Sequence, residues 1–163
     1  MIRKFGLNIT IIIMLITMLA PSATARLDAE RYATLRETER YQLDVSDRLF
    51  NQRNWNAARQ EYEKFLRMHT RTAAAPYVQL RIAQCYENMR HVNQAIKEYR
   101  ALIRIFPDSP EAPVAYMALG RSLYATGETE EAIEEYRNVV AKHPETTAAA
   151  EALCQHRPLP VLG

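Results

Sequence analysis

Four histidines, two cysteines and three Glu-Tyr pairs are the residues of this chain whose types could do chemistry. His69, His91, His143 and His156 lack the close paired spacing with which helices present zinc or iron ligands, so no metal site is expected. Cys85 and Cys154 fall two helical units apart, about 20 Å at roughly 9–10 Å per packed helix layer, whereas a disulfide needs Cα atoms about 4.4–6.8 Å apart. Cys85 therefore reads as a small packing residue and Cys154 as a thiol open to another chain. Glu61-Tyr62, Glu98-Tyr99 and Glu135-Tyr136 put three carboxylates and three phenols in register, but acid–base work needs paired groups in one concave pocket and nothing in the sequence gathers them. The tyrosines are expected in the core and the glutamates on solvated faces. No catalytic residue and no cofactor are expected.

The elements that carry these residues begin after an export signal. Arg3 and Lys4 precede an apolar block, Phe5 to Ala20; Pro21 interrupts it, and Ala23-Thr24-Ala25 supplies the small residues of a cleavage site. A helix over that block would be about 24 Å long against roughly 30 Å of bilayer hydrocarbon, short for a permanent span. Residues 1–25 are thus expected to be a cleaved signal peptide, the alternative being an uncleaved amino-terminal anchor. The whole chain has 21 Lys and Arg against 19 Asp and Glu, and removing the signal takes away two cations and no acid. That near balance argues against a phosphate-tracking nucleic-acid binder, and no nucleic-acid partner is expected. The three glycines that remain, Gly120, Gly127 and Gly163, are too scattered to cradle phosphates.

A repeat organises the rest. Ala58-Arg59-Gln60-Glu61-Tyr62, Ala95-Ile96-Lys97-Glu98-Tyr99 and Ala132-Ile133-Glu134-Glu135-Tyr136 follow one another at 37 residues, and the same step links Ser46, Ala83 and Gly120, then Phe65, Leu102 and Val139. Each unit reads as two helices. The small residues are assigned to the places where the two helices cross closely, Ala83 or Gly120 on the first and Ala58, Ala95 or Ala132 on the second. Thr72, Ser109 and Thr146 stand in register where helix N-caps are needed, with Pro76, Pro110 and Pro113 in or near the first turns. A single pair cannot cover its own apolar face, so the pairs must stack.

Tyr116-x2-Leu119-Gly120-x2-Leu123, then Ala132-x3-Tyr136, then Pro144, resembles the tetratricopeptide repeat signature. The resemblance implies an all-α solenoid of three units, residues 39–75, 76–112 and 113–149, preceded by a charged helical extension over 26–38. A fourth unit starts after Thr146 but is aborted within 150–163 by Pro158 and Pro160; it is either a native short cap or a truncation that leaves the third pair partly uncovered. Three residues beyond the usual period of about 34 lengthen the connections, as in Phe106 to Pro113. With the export signal, this is similar to bacterial cell-envelope tetratricopeptide proteins of the BamD-like outer-membrane assembly and Tol-Pal-associated kinds, without a lipoprotein cysteine.

The first helices carry the expected binding residues. Leu43, Asp47 and Phe50; Leu80, Gln84 and Glu87; and Met117, Arg121 and Tyr124 stand at i, i+4 and i+7, each trio on one side of its helix. In the family the corresponding face lines a concave groove for peptides or partner helices, with Asn51, Tyr77 and Asn88 at neighbouring positions; packing between successive first helices is the other reading of the same apolar residues. Leu43 stands where some relatives place a lysine for carboxyl-terminal peptides, so chaperone-tail binding is not expected. The expectation is a non-enzymatic protein-interaction scaffold, exported to the periplasm or envelope. Its partner would be a protein or peptide, envelope assembly proteins included, with the membrane reached only through an uncleaved signal or a partner. The alternative is a structural protein that self-associates, as an oligomer, through its carboxyl-terminal repeat face.

Overall fold

The computed structural model describes residues 27–155; the predicted signal peptide and the tail from His156 to Gly163 lie outside the described residues. Among the described residues there are eight helices and no strand: α1 Ala29–Thr34, α2 Glu37–Asn51, α3 Trp55–Met68, α4 Ala75–Asn88, α5 Val92–Ile105, α6 Ala112–Thr126, α7 Thr129–Lys142 and α8 Thr147–Gln155. Each of α3 to α8 packs on the helix before it, and α6 also reaches α8. The result is an all-α solenoid of helical pairs.

The pairs are closed by one repeated turn. Arg53, Arg90 and Gly127, spaced at 37 residues, all take the left-handed conformation. The amide that follows each reaches back to the last turn of the first helix: Asn54 N–H to Leu49 O at 3.0 Å, His91 to Tyr86 at 2.9 Å and Glu128 to Leu123 at 2.9 Å. This is a helix C-cap that favours glycine, because an L side chain crowds its own carbonyl there. Only the third unit has the glycine, which is why the sequence marks Gly127 and is silent at Arg53 and Arg90. Arg53→Gly and Arg90→Gly should therefore each raise stability by about 0.5–1 kcal/mol after the entropy cost of glycine in the unfolded chain, read as a shift of the urea midpoint at constant slope.

The close crossings are where the repeat places them. Ala58, Ala83, Ala95 and Ala132 are fully buried, and a Cβ on Gly120 would lie 2.5 Å from the Tyr136 ring. The connection between pairs is stoppered by an aromatic ring in register: His69, Phe106 and His143 each terminate a second helix, bonding back to Phe65, Leu102 and Val139. The His69 ring lies tilted, 4.8 Å from that of Phe65, and His143 lies 6.0 Å from Tyr116. Two of the four histidines are thus packing residues at one repeated site.

Two expectations need correction. Of the three predicted N-caps only Thr146 accepts a first-turn amide, from Ala149 at 3.2 Å. The Thr72 hydroxyl accepts from Ala74 within the connection, and the buried Ser109 hydroxyl has no partner, since Ala74 and Glu111 stand at the caps instead. The charged segment is not a continuation of α2: Leu35 and Arg36 are extended, and Glu39 accepts the Arg36 amide at 2.8 Å, which starts a new helix. That break lets Leu27 and Leu35 turn inward and become buried. Of the two readings of the fourth unit, α8 fits the short cap: Ala148, Ala149 and Ala152 are buried and it packs on Tyr116, Met117, Tyr136 and Val139. The surface left open at that end includes Leu153, 61% exposed.

Helix α1 is bound across the solenoid rather than along it. The Arg31 guanidinium donates to Ala73 O at 2.9 Å and to Glu111 Oε1 at 2.6 Å, eighty positions away at the start of α6. The Tyr32 hydroxyl donates to Asp44 on α2 at 2.8 Å.

Candidate partner-binding face

The first helices α2, α4 and α6 present the residues singled out from the sequence, and the structure divides them. Leu43, Tyr77, Leu80 and Met117 are at most 2% exposed. Their apolar bulk is spent on contacts inside the solenoid, with Leu43 and Tyr77 in the core of the first pair and Leu80 in that of the second and third. Leu43, Leu80 and Met117 thus have almost no surface for a partner to touch, whereas Tyr77, buried as a ring, lines an open cavity with its hydroxyl on Asp47. Asp47, Phe50, Gln84 and Glu87 are half-buried; Asn51, Asn88, Arg121 and Tyr124 are exposed. The available face is polar, with a few aromatic rings.

At its centre the second-helix tyrosines reach through the layer to the first helices. Asp47 accepts hydrogen bonds from the hydroxyls of Tyr62 and Tyr77, the latter at 2.9 Å to each carboxylate oxygen. Arg81, which the sequence reading passed over, donates from Nε to the Tyr77 hydroxyl at 3.0 Å and from Nη1 to Gln84 Oε1 at 3.2 Å. Its guanidinium carbon lies 4.3 Å from the Phe50 ring centroid, a stacked cation–π position. Arg81 follows Tyr77 by four residues, the spacing that puts both on one side of a helix. One unit along, the Tyr99 hydroxyl donates to Glu87 at 2.6 Å.

Burial drives the phenols of Tyr62 and Tyr99 far above the ordinary range, and the facing carboxylates, Asp47 and Glu87, add to it. For Tyr77 burial likewise outweighs the opposing pull of Arg81. These hydroxyls stay protonated and serve as donors that fix the carboxylates. Burial also pushes the Cys85 thiol up to about 12, which suppresses the thiolate that chemistry would require. The Glu-Tyr pairs do not converge: Glu61 pairs with Lys64, Glu98 accepts from Gln79, and Glu135 accepts from Asn138. Among the described residues no group of three His, Cys, Asp or Glu is placed to hold a metal ion.

Beside the network lies an open cavity of about 670 Å³, lined by Asp44, Asp47, Arg48, Phe50, Asn51, Gln52, Tyr77 and Arg81. Its rim offers charges of both signs, amide groups and an aromatic ring. Such a surface can hold a polypeptide through its backbone and through charged side chains.

The tetratricopeptide repeat family profile matches residues 46–110, 80–146 and 117–155. No curated protein matches the chain in sequence. Among solved structures, the second tetratricopeptide domain of human RPAP3, in complex with an HSP70 peptide, is 17% identical with a TM-score of 0.56, over 70% of this chain and 90% of that one. PcrH in complex with the chaperone-binding region of PopB is 12% identical with a TM-score of 0.60, over 75% and 94%. The translocator chaperone SycD of Yersinia enterocolitica is 14% identical with a TM-score of 0.60, over 74% and 89%. With three profile matches running in the register of the 37-residue repeat and with helical pairs stacked as in these structures, the chain belongs to the tetratricopeptide repeat family.

Proposed function

We propose that this chain is a non-enzymatic scaffold of the bacterial cell envelope that holds a protein segment on its first-helix face. The observation that carries the reading is the open cavity over Asp47, Tyr77 and Arg81. Its polar groups are held in place by buried tyrosines and by a stacked arginine, a preorganised surface that a partner need not order on binding. The similar structures of RPAP3 and PcrH hold a peptide and a binding region of another protein, which supports the class of partner. Export rests on Arg3, Lys4, the apolar block and Ala23-Thr24-Ala25. Envelope assembly proteins are the partner class that this address favours.

The test is affinity co-purification from the cell envelope with wild type beside Arg121→Glu with Tyr124→Glu. Both side chains are exposed, Tyr124 at 67%, so the fold should be retained, as circular dichroism would verify. Loss of a captured partner by the folded variant, at least tenfold in affinity or about 1.4 kcal/mol, is the expected result. Retention of every partner by the variant would refute a contact at this end of the face.

The second reading, self-association, has its own observation, the exposed Tyr124 and Leu153 near the carboxyl-terminal end. Light scattering separates the two, since a monomer over a wide concentration range excludes it.

A further inference from the structure

Helix α1 sits on the surface proposed above as the binding face, and its contacts are of a kind that a separate chain could make. A cavity of about 590 Å³ lined by Leu27, Ala29, Tyr32, Asp44 and Asp47 lies beneath it, and Asp44 and Asp47 also line the open cavity that continues to Tyr77 and Arg81. One floor is therefore partly covered by α1 and partly bare. The part of the floor under α1 carries two carboxylates, Asp44 and Asp47, and Tyr32 donates to Asp44; outside both linings, Arg31 meets the carboxylate of Glu111, 5% exposed and with its other oxygen unpartnered.

We propose that this face recognises a short helix carrying the α1 pattern, an apolar residue, then Arg and an aromatic four and five positions on, then a second apolar residue (Leu27, Arg31, Tyr32, Leu35), and that α1 fills the site as a tethered surrogate which such a partner displaces. The inference rests on the scaffold reading and narrows its partner. Two features make α1 displaceable. It has six residues, none of them buried within the helix itself, and its apolar anchors Leu27 and Leu35 flank it. A helix so short does not persist on its own, so what holds it is its two buried anchors and the bonds of Arg31 and Tyr32, all of which a partner with the same pattern can replace. Against that stands the tether. A short linker gives α1 an effective concentration of about millimolar, so a partner succeeds only with an affinity well below that. A longer helix gains it by spanning both cavities, which α1 cannot.

The test uses the full chain and a fluorescein-labelled peptide of residues 26–36. The peptide should bind the Arg31→Ala/Tyr32→Ala chain at least tenfold more tightly than wild type, and an Arg31→Ala peptide should bind that opened chain at least tenfold more weakly than the native peptide. Equal binding to both chains, or none to an opened chain that remains helical, would overturn the proposal. If the opened chain does not fold, hydrogen exchange on wild type decides. Amides of residues 29–34 should exchange faster still when about 5 mM unlabelled peptide is added, while α4 and α6 stay protected; unchanged exchange would overturn it. A cellular partner captured equally by wild type and by the opened chain would leave the scaffold reading standing and refute displacement.

Discussion

Replacing Tyr99 by alanine should cost about 3–5 kcal/mol, the range for truncating a large buried aromatic. The ring is fully buried in the middle pair, within the cluster that joins α4, α5 and α6, so no end of the solenoid is free to collapse into the cavity. The hydroxyl adds a second component, because its loss strands Glu87, which accepts from it at 2.6 Å. Tyr99→Phe separates the two by keeping the ring and removing only the hydrogen bond, at about 1.5–3 kcal/mol for a bond to a charged group. Domains of this size are stable by only about 5–15 kcal/mol, so the alanine variant loses a large share. Urea denaturation of the three proteins measures it, and a loss below about 1 kcal/mol for alanine would mean that the second helices do not carry the core as described.

The other large effect is expected at Gly120. A Cβ there would meet Tyr136 Cε1 at 2.5 Å and both Cδ1 and Cζ at 2.9 Å, and the ring is backed by Ala148 and Ala152 of α8. Gly120→Ala sets this clash against the roughly 1 kcal/mol that alanine gains over glycine in a helix. The ring must shift or α6 and α7 must part, and overpacking of this kind costs about 1–3 kcal/mol. Gly120→Leu has no compensating room and should reach about 3 kcal/mol or more. The same change at Ala125, exposed on the same helix, is the control and should be nearly neutral. A thermal melt series of the three variants tests whether the crossing at Gly120 is as close as the geometry requires.

Most of the architecture was legible because it repeats. A 37-residue step carries the pairing, the small crossing residues and the core tyrosines, and local periodicity is enough to read all three. Features that depend on distant contacts were not. The bond from Arg31 to Glu111 joins residues eighty apart, with no local pattern to announce it, and the break at Leu35 follows from what α1 packs against rather than from any helix-breaking residue. The left-handed turns at Arg53 and Arg90 were hidden because only Gly127 has the residue type that signals them.

The candidate face was legible in part for a similar reason. Periodicity places Leu43, Leu80 and Met117 on one side of their helices, but how far the neighbouring helices cover that side is a tertiary property, and the structure buries all three. The polar members Asp47, Gln84, Glu87 and Arg121 follow from the same spacing and remain at the surface, wholly or in part. Arg81 was missed because an arginine four residues after a tyrosine reads as a solvated face until Phe50 and Tyr77 are seen to enclose it.

The central claim, that a protein partner is held on the first-helix face, is tested most directly by site-specific photo-crosslinking in the cell envelope. The crosslinker would be placed at Asn88, exposed on α4, and as a control at Lys97, exposed on α5. A discrete adduct from Asn88 that is absent from Lys97 is the predicted result, and an adduct from Lys97 alone, or the same adduct from both positions, would contradict the account.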